Sequence, residues 1–300
     1  MYSCLLLPMD GSELAEVALP YAEELAGRLG SRIVLLNVTE PSVSSRPVRR
    51  MTQCYLDSVA KDIKDGAAKY LSTPGEREVK IETVIKEGNP AEEILKYAEE
   101  ENVTQIMLAT HGRTGLSRWA LGSVAFKVGT ASVKPVALIR AKGARPDIRE
   151  KGILRRALVP LDGTKEGEAI LPYIEELCSS LKADIITFHM LEVNPNLVSI
   201  EALEHQQDAE KQAQDYLKKT ADRIKQRGIN VTTEFRTVTP GDEASEIIKV
   251  SDEFNVDLVA MTTHAHTGIG RWMHDNIQQT VLTEGSTPLL LVRAEGAFKG

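Results

Sequence analysis

The chain of 300 residues is poor in cysteine, with only Cys4, Cys54 and Cys178. An odd, scattered set without a C-x-x-C pair builds neither a disulfide framework nor a zinc ribbon, and reads as three reduced thiols in a reducing compartment. No apolar stretch reaches membrane-spanning length. The start, MYSCLLLPMDGSE, has no basic region, and its apolar run is too short for a signal peptide. A cytoplasmic protein without membrane contact is expected. Positive charge is not in excess either: 36 Lys and Arg stand against 43 Asp and Glu, for a net charge of −7. That balance argues against a nucleic-acid binder, which would carry a basic face. A local nucleotide site stays compatible with it, because such a site needs only a few well-aimed donors. There is no G-x-x-x-x-G-K-[ST] and no G-x-G-x-x-G opening the first helix, which argues against a P-loop NTPase and an ordinary dinucleotide enzyme. A nucleophile elbow is missing as well.

What is present is a repeat. LLLPMDGSELAEVALPYAEELA (5–26) returns as ALVPLDGTKEGEAILPYIEELC (157–178), with Pro8/Pro160, Asp10/Asp162, Gly11/Gly163 and Pro20/Pro172 all aligned at an offset of 152 residues. KPVALIR (134–140) returns as TPLLLVR (287–293), and THGRTGLSRW (110–119) as THAHTGIGRW (263–272). A period this long is no solenoid unit but a duplicated domain. We place the domains at 1–142 and 152–295, joined by a polar linker at 143–151 that contains Pro146.

Each half alternates apolar runs with helical periods. In the first, strands are expected at 4–7, 33–38, 79–85, 105–109 and 136–139, and helices at 12–29, 55–71, 91–100 and 123–130, with Ser12 capping the first. Segment 40–57, with Pro41, Pro47 and Arg46, Arg49 and Arg50, is expected to be a loop or flap. Apolar strands alternating with helices predict a parallel sheet covered on both faces. Right-handed crossovers make it doubly wound, with ligands beyond the carboxyl ends of the strands.

Three segments meet at that edge: PMDG after the first strand, NVTE after the second and ATHG after the fourth. The helix opened by Gly122 and Ser123 starts beside them, and its N–H groups and dipole suit an anion. Gly122 lets backbone approach an oxyanion and Ser123 adds a hydroxyl. Gly112 permits a turn that most residues resist, and Arg113 offers charge-assisted contacts. Asp10 can accept a hydrogen bond from a ribose hydroxyl or an adenine amine. Each feature alone has a plainer reading as a turn or a cap; together on one edge they favour a phosphate ligand.

The stretch ATHGRTGLSRWALGSVAFKV…KPVALIR, with PMDGS near the start, resembles the universal stress protein family, and the whole chain resembles its tandem two-domain members. The resemblance implies two tandem doubly wound α/β domains, each with a five-stranded parallel sheet of the adenine nucleotide alpha-hydrolase-like fold. Nucleotide-binding members carry Gly-x-x-Gly, nine residues, then Gly-Ser/Thr. Here the motif runs Ala109-Thr-His-Gly112, nine residues, Gly122-Ser123, with Ala109 in place of the first glycine. A methyl group at a position demanding positive φ costs roughly 1 kcal/mol or more, and where close approach is the need it blocks the ligand outright, so both the backbone angle and the space at Ala109 matter. By resemblance, Pro8, Met9 and Asp10 lie at adenine and ribose, Val38 and Leu108 sandwich the base, and His111, Gly112, Gly122, Ser123, Val124 and Ala125 surround the phosphates. The implied ligand is ATP, with magnesium or manganese as its companion ion. The partners expected are a second tandem chain, giving a homodimer, and a protein that the sequence does not name.

The second half departs from the motif: Gly112, Gly122 and Ser123 align with Ala265, Asp275 and Asn276. A carboxylate at 275 repels phosphate and caps the helix itself, so this site reads as degenerate. His264, His266 and His274, with His189 and Asp275, offer a zinc set as an alternative, although their spacing matches no strong metal motif. We assign no catalytic residue and no metal ligand. The function expected is an adenine-nucleotide-binding stress-response regulator that acts through conformation or partner binding, with one nucleotide in the first domain. The alternatives are a nucleotide-independent interaction scaffold and a slow ATP hydrolase on the same fold.

Overall fold

The computed structural model describes residues 1–70, 79–110, 122–140, 152–193, 200–263 and 275–294, with 200–202 and 275–276 described for their backbone only. The chain divides into two units, Met1–Ile153 and Leu154–Gly300. The linker expected at 143–151 lies outside the described residues.

In the first unit the elements run β1 (Cys4–Pro8), α1 (Leu19–Leu29), β2 (Arg32–Thr39), α2 (Arg46–Ala67), β3 (Ile81–Glu87), α3 (Pro90–Glu100), β4 (Gln105–Ala109), α4 (Ser123–Ala131) and β5 (Val136–Ile139). The strands are parallel and lie in the order β3-β2-β1-β4-β5. Leu5, Leu6 and Leu7 of β1 are almost fully buried, as a central strand covered on both faces requires. Helices α1 and α2 pack together on one face and α3 and α4 on the other, as right-handed crossovers dictate when the order reverses between β1 and β4.

The second unit repeats this plan. Its elements are β6 (Arg156–Pro160), α5 (Leu171–Leu181), β7 (Asp184–Glu192), α6 (Ile200–Lys225), β8 (Val231–Val238), α7 (Glu243–Glu253), β9 (Leu258–Thr263), α8 (Asp275–Glu284) and β10 (Leu289–Arg293). Its parallel sheet has the order β8-β7-β6-β9-β10. Among the described residues, no helix is long and apolar enough to cross a membrane. All three cysteines are free thiols, Cys4 and Cys178 buried and Cys54 exposed.

Two elements differ from the sequence-based expectation. The helix expected over 12–29 opens as a 3-10 turn, Ala15–Ala18, before α1 begins. Pro20 has no N–H to return to the preceding turn, so the helical ladder is interrupted there. Pro172 has the same effect after Gly167–Ile170. Ser12 caps this 3-10 turn rather than an α-helix, its Oγ accepting from Ala15 N at 3.2 Å. The second correction is larger: segment 40–57 is mostly helix, because α2 starts at Arg46. Ser45 Oγ accepts from Val48 N at 3.5 Å, and Pro47 sits in the first turn, where its fixed φ suits a helix and its missing N–H leaves no bond unmade.

Helices α1 and α2 approach unusually closely. A methyl group on Gly27 would stand 2.6 Å from the Ala67 carbonyl oxygen, and one on Gly66 would stand 2.5 Å from Glu23 Oε2. Both glycines serve this contact of backbone and side chain.

Candidate functional site

The strand order reverses between β1 and β4, which opens a cleft at their carboxyl ends. Pro8 closes β1 level with Leu36 of β2. Met9, 2% exposed, donates its N–H to the Leu36 carbonyl at 2.8 Å. Its own carbonyl accepts from Asn37 Nδ2 at 2.7 Å, and Asn37 Oδ1 accepts from Thr39 Oγ1 at 3.0 Å. Asn37, buried in the end of β2, thus clamps the chain as it leaves β1. Asp10 then forms a tight turn over Gly11, whose φ of 81° is open to glycine. Asp10 Oδ1 accepts from Ser12 N at 2.9 Å and from Ser12 Oγ at 2.6 Å. The clamp and the turn hold the carboxylate at the strand end.

On the other side of the cleft, Leu108 pairs with Leu138, and Ala109, the last residue of β4, pairs with Ile139. Among the described residues, the non-glycine residues with positive φ are Asn102, Lys182 and Asn255, so Ala109 is not strained. The conformational penalty weighed for its methyl group does not arise. Side chains alternate along a strand, and β1 is in register with both neighbours. Pro8, Val38 and Leu108 therefore lie on one face of the sheet, and Ala109 and Asn37 on the other.

The Thr110 carbonyl accepts from Gly122 N at 2.8 Å, which ties the start of α4 to the end of β4. Gly122 has φ −61° and ψ 141°, an extended conformation open to other residues, and its N–H is used in this bond. This bond sets the helix at the strand end. The first bond inside α4 runs from Phe126 N to the Gly122 carbonyl at 2.9 Å. The N–H groups of Ser123, Val124 and Ala125 precede it, and no side chain caps this end among the described residues. Ala125 is small and 3% exposed. His111, Gly112 and Arg113 lie outside the described residues.

The second half places other side chains at the same positions. Asp162 Oδ1 accepts from Thr164 N at 2.9 Å and from Thr164 Oγ1 at 2.7 Å, repeating the turn at Asp10. His189 occupies the position of Asn37, and its Nδ1 bonds the Leu161 carbonyl at 2.6 Å, so it performs the same clamp. Burial pushes the His189 pKa down, opposed by the Leu161 bond and the nearby Asp162 charge. Its ring lies 5.9 Å from that of Tyr216 and is stacked 6.4 Å from that of Phe235. The Nδ1 atom is therefore committed to backbone. His264, His266 and His274 lie outside the described residues, as do the side chains of Asp275 and Asn276. Sequence reasoning missed two side chains here. Thr262, at the position of Ala109, donates through Oγ1 to the Gly167 carbonyl at 3.0 Å. Gln278, at the position of Ala125, donates through Nε2 to the Thr262 carbonyl at 2.8 Å.

Two parallel five-stranded sheets, each reversing its order beside a helix N-terminus, define the adenine nucleotide alpha-hydrolase-like class. The sequence profile of the universal stress protein family matches the chain twice, over residues 1–140 and 154–293. The chain belongs to this family, as a tandem member. A universal stress protein of Bacillus subtilis is 30% identical over 148 residues, which are 47% of this chain and 100% of that protein. One from Methanocaldococcus jannaschii is 30% identical over 162 residues, 48% of this chain and 98% of that protein. The crystal structure of a universal stress protein from Archaeoglobus fulgidus superposes with a TM-score of 0.65 at 19% identity, over 98% of this chain and 99% of that one. At that identity the match speaks for the fold alone.

Proposed function

We propose that the first half binds one adenine nucleotide, ATP with magnesium or manganese, and that the chain acts as a stress-response regulator through the resulting conformation or through a protein partner. The observation that carries this reading is the start of α4. Three N–H groups, on Ser123, Val124 and Ala125, stand before the first intrahelical bond without a capping side chain, beside the end of β4. Helix N-termini of this kind suit phosphate. The residues fit the rest of the ligand as well. Ser123 supplies a hydroxyl, Ala125 leaves room, and the clamped turn at Asp10 supplies a carboxylate for ribose or adenine. Pro8, Val38 and Leu108 supply an apolar face for the base. His111, Gly112 and Arg113 complete the phosphate site in this proposal.

Calorimetric titration of the full chain with ATP tests it. One site per chain is expected. Gly122→Asp sets a carboxylate against the phosphates. Like charges near 4 Å repel by about 4 kcal/mol at an effective dielectric near 20, which lowers affinity by about a hundredfold or more. Two equivalent sites in the wild type, or undiminished binding by Gly122→Asp, would reject the assignment.

A further inference from the structure

The two halves share their elements at the strand ends but fill the space there with different side chains. In the first half, the positions around the end of β4 carry Ala15, Ala109 and Ala125. In the second they carry Gly167, Thr262 and Gln278, and these three are joined. Thr262 is fully buried, and its Oγ1 reaches the Gly167 carbonyl at 3.0 Å. Gln278, 8% exposed, reaches the Thr262 carbonyl through Nε2 at 2.8 Å. A glutamine in the first turn of a helix commonly turns back to cap that helix; this one crosses to the neighbouring strand instead. Gly167 takes part through its lack of a side chain. A methyl group there would overlap Asp162 Oδ1, so the bare glycine makes room for the Asp162 carboxylate. The other oxygen, Asp162 Oδ2, is buried with no hydrogen-bond partner among the described residues.

We propose that Gln278 and Thr262 form a built-in plug, which closes the cleft of the second half from inside without any ligand. The plug does by hydrogen bonding what a ligand would do by binding: it joins the start of α8 to the end of β9. A buried side-chain amide is held in place by its polar partners, so the closure needs no ligand. The contrast with a ligand-binding first half rests on the function proposed above; the plug itself does not.

Hydrogen exchange measured by mass spectrometry on the full chain, without nucleotide, tests the plug. Gln278→Ala is expected to raise exchange in peptides covering β9 and α8 about tenfold, the loss of one buried hydrogen bond. Gln278→Glu keeps the volume but cannot donate, and is expected to act in the same direction, so a packing defect alone cannot explain the result. Unchanged exchange in both variants would overturn the plug. The reverse graft, Ala125→Gln, is expected to slow exchange at 105–110 and to weaken ATP binding about tenfold or more. Wild-type affinity together with unchanged exchange in that variant would also overturn it. A wild-type chain that binds no ATP would remove the proposed function while leaving the exchange results at Gln278 to decide the plug.

Discussion

Glu24 Oε2, in the middle of α1, accepts a hydrogen bond at 2.7 Å from the backbone N–H of Ile153, 129 residues further along the chain. Its other oxygen pairs with Arg28 Nε at 2.9 Å. Glu24 is 2% exposed and Ile153 is 6% exposed, so this bond is shielded from water. The last residue of the first unit is thereby fastened to that unit's own helix α1.

Replacing Glu24 by alanine leaves the Ile153 N–H buried without its acceptor. An unsatisfied buried donor costs about 1–3 kcal/mol, while the exposed Arg28 simply returns to water. Urea unfolding of Glu24→Ala is expected to show a loss in that range. A midpoint equal to wild type would mean that the fastening adds nothing to stability.

Gly27→Ala drives a methyl group into the Ala67 carbonyl and Tyr70 Cβ, which would stand 2.6 and 2.7 Å away. Neither the backbone nor a Cβ atom yields easily, so α1 and α2 must separate. The expected destabilisation is about 1–3 kcal/mol, read as a lowered thermal midpoint. Ala-for-Gly exchange elsewhere in a helix usually stabilises, so the sign of the change is itself the test.

Lys182 ends α5 in the left-handed region, with φ 57°, where the first half has Gly30 at φ 70°. The lysine side chain is exposed and brings steric cost without a compensating contact. Lys182→Gly is expected to stabilise by about 0.5–1 kcal/mol after allowing for the greater freedom of glycine in the unfolded chain. Chemical denaturation reads this directly, and a loss of stability would contradict it.

His189 makes the second half sensitive to pH. Its folded pKa lies below the ordinary 6.5 because burial disfavours the cation, against the Leu161 bond and the Asp162 charge. The unfolded chain therefore takes up a proton first as pH falls. The contribution of this group is fully present above about pH 6.5 and is lost as pH falls from there through the folded pKa. His189→Asn installs the clamp of the first half, which does not titrate. Unfolding midpoints from about pH 5 to 8 are expected to slope less in the variant than in the wild type. Parallel curves would show that other groups set the slope.

Much of this architecture is legible in the chain. The strands announce themselves as short apolar runs, and the aligned prolines, aspartates and glycines around Asp10 and Asp162 reveal the duplication. Pro47 misled, because a proline reads as a breaker until the serine two places before it is recognised as a cap. Ala109 showed the limit of motif reading: the extended backbone that its strand pairing with Ile139 gives it removes the backbone-angle penalty, which the motif alone does not show. Gln278 was the least legible. Its partner, the Thr262 carbonyl, is 16 residues away and belongs to the backbone, which no side-chain pattern records. Comparing the halves position by position is the signal that could have found it, since Ala125 and Gln278 differ in both size and polarity.

The glycine contact between α1 and α2 has a mechanical consequence. Both helices run from the carboxyl edge of the sheet towards the opposite edge, and Gly27 and Ala67 meet near their far ends. The pair is built like calipers, riveted at the base. Nearer the tips, Tyr55 Oη donates to Glu16 Oε1 at 3.1 Å, a light catch between α2 and the 3-10 turn ahead of α1. Any breathing between the two helices is therefore smallest at the rivet and widest at the tips, on the side where the strands end at Pro8 and Thr39.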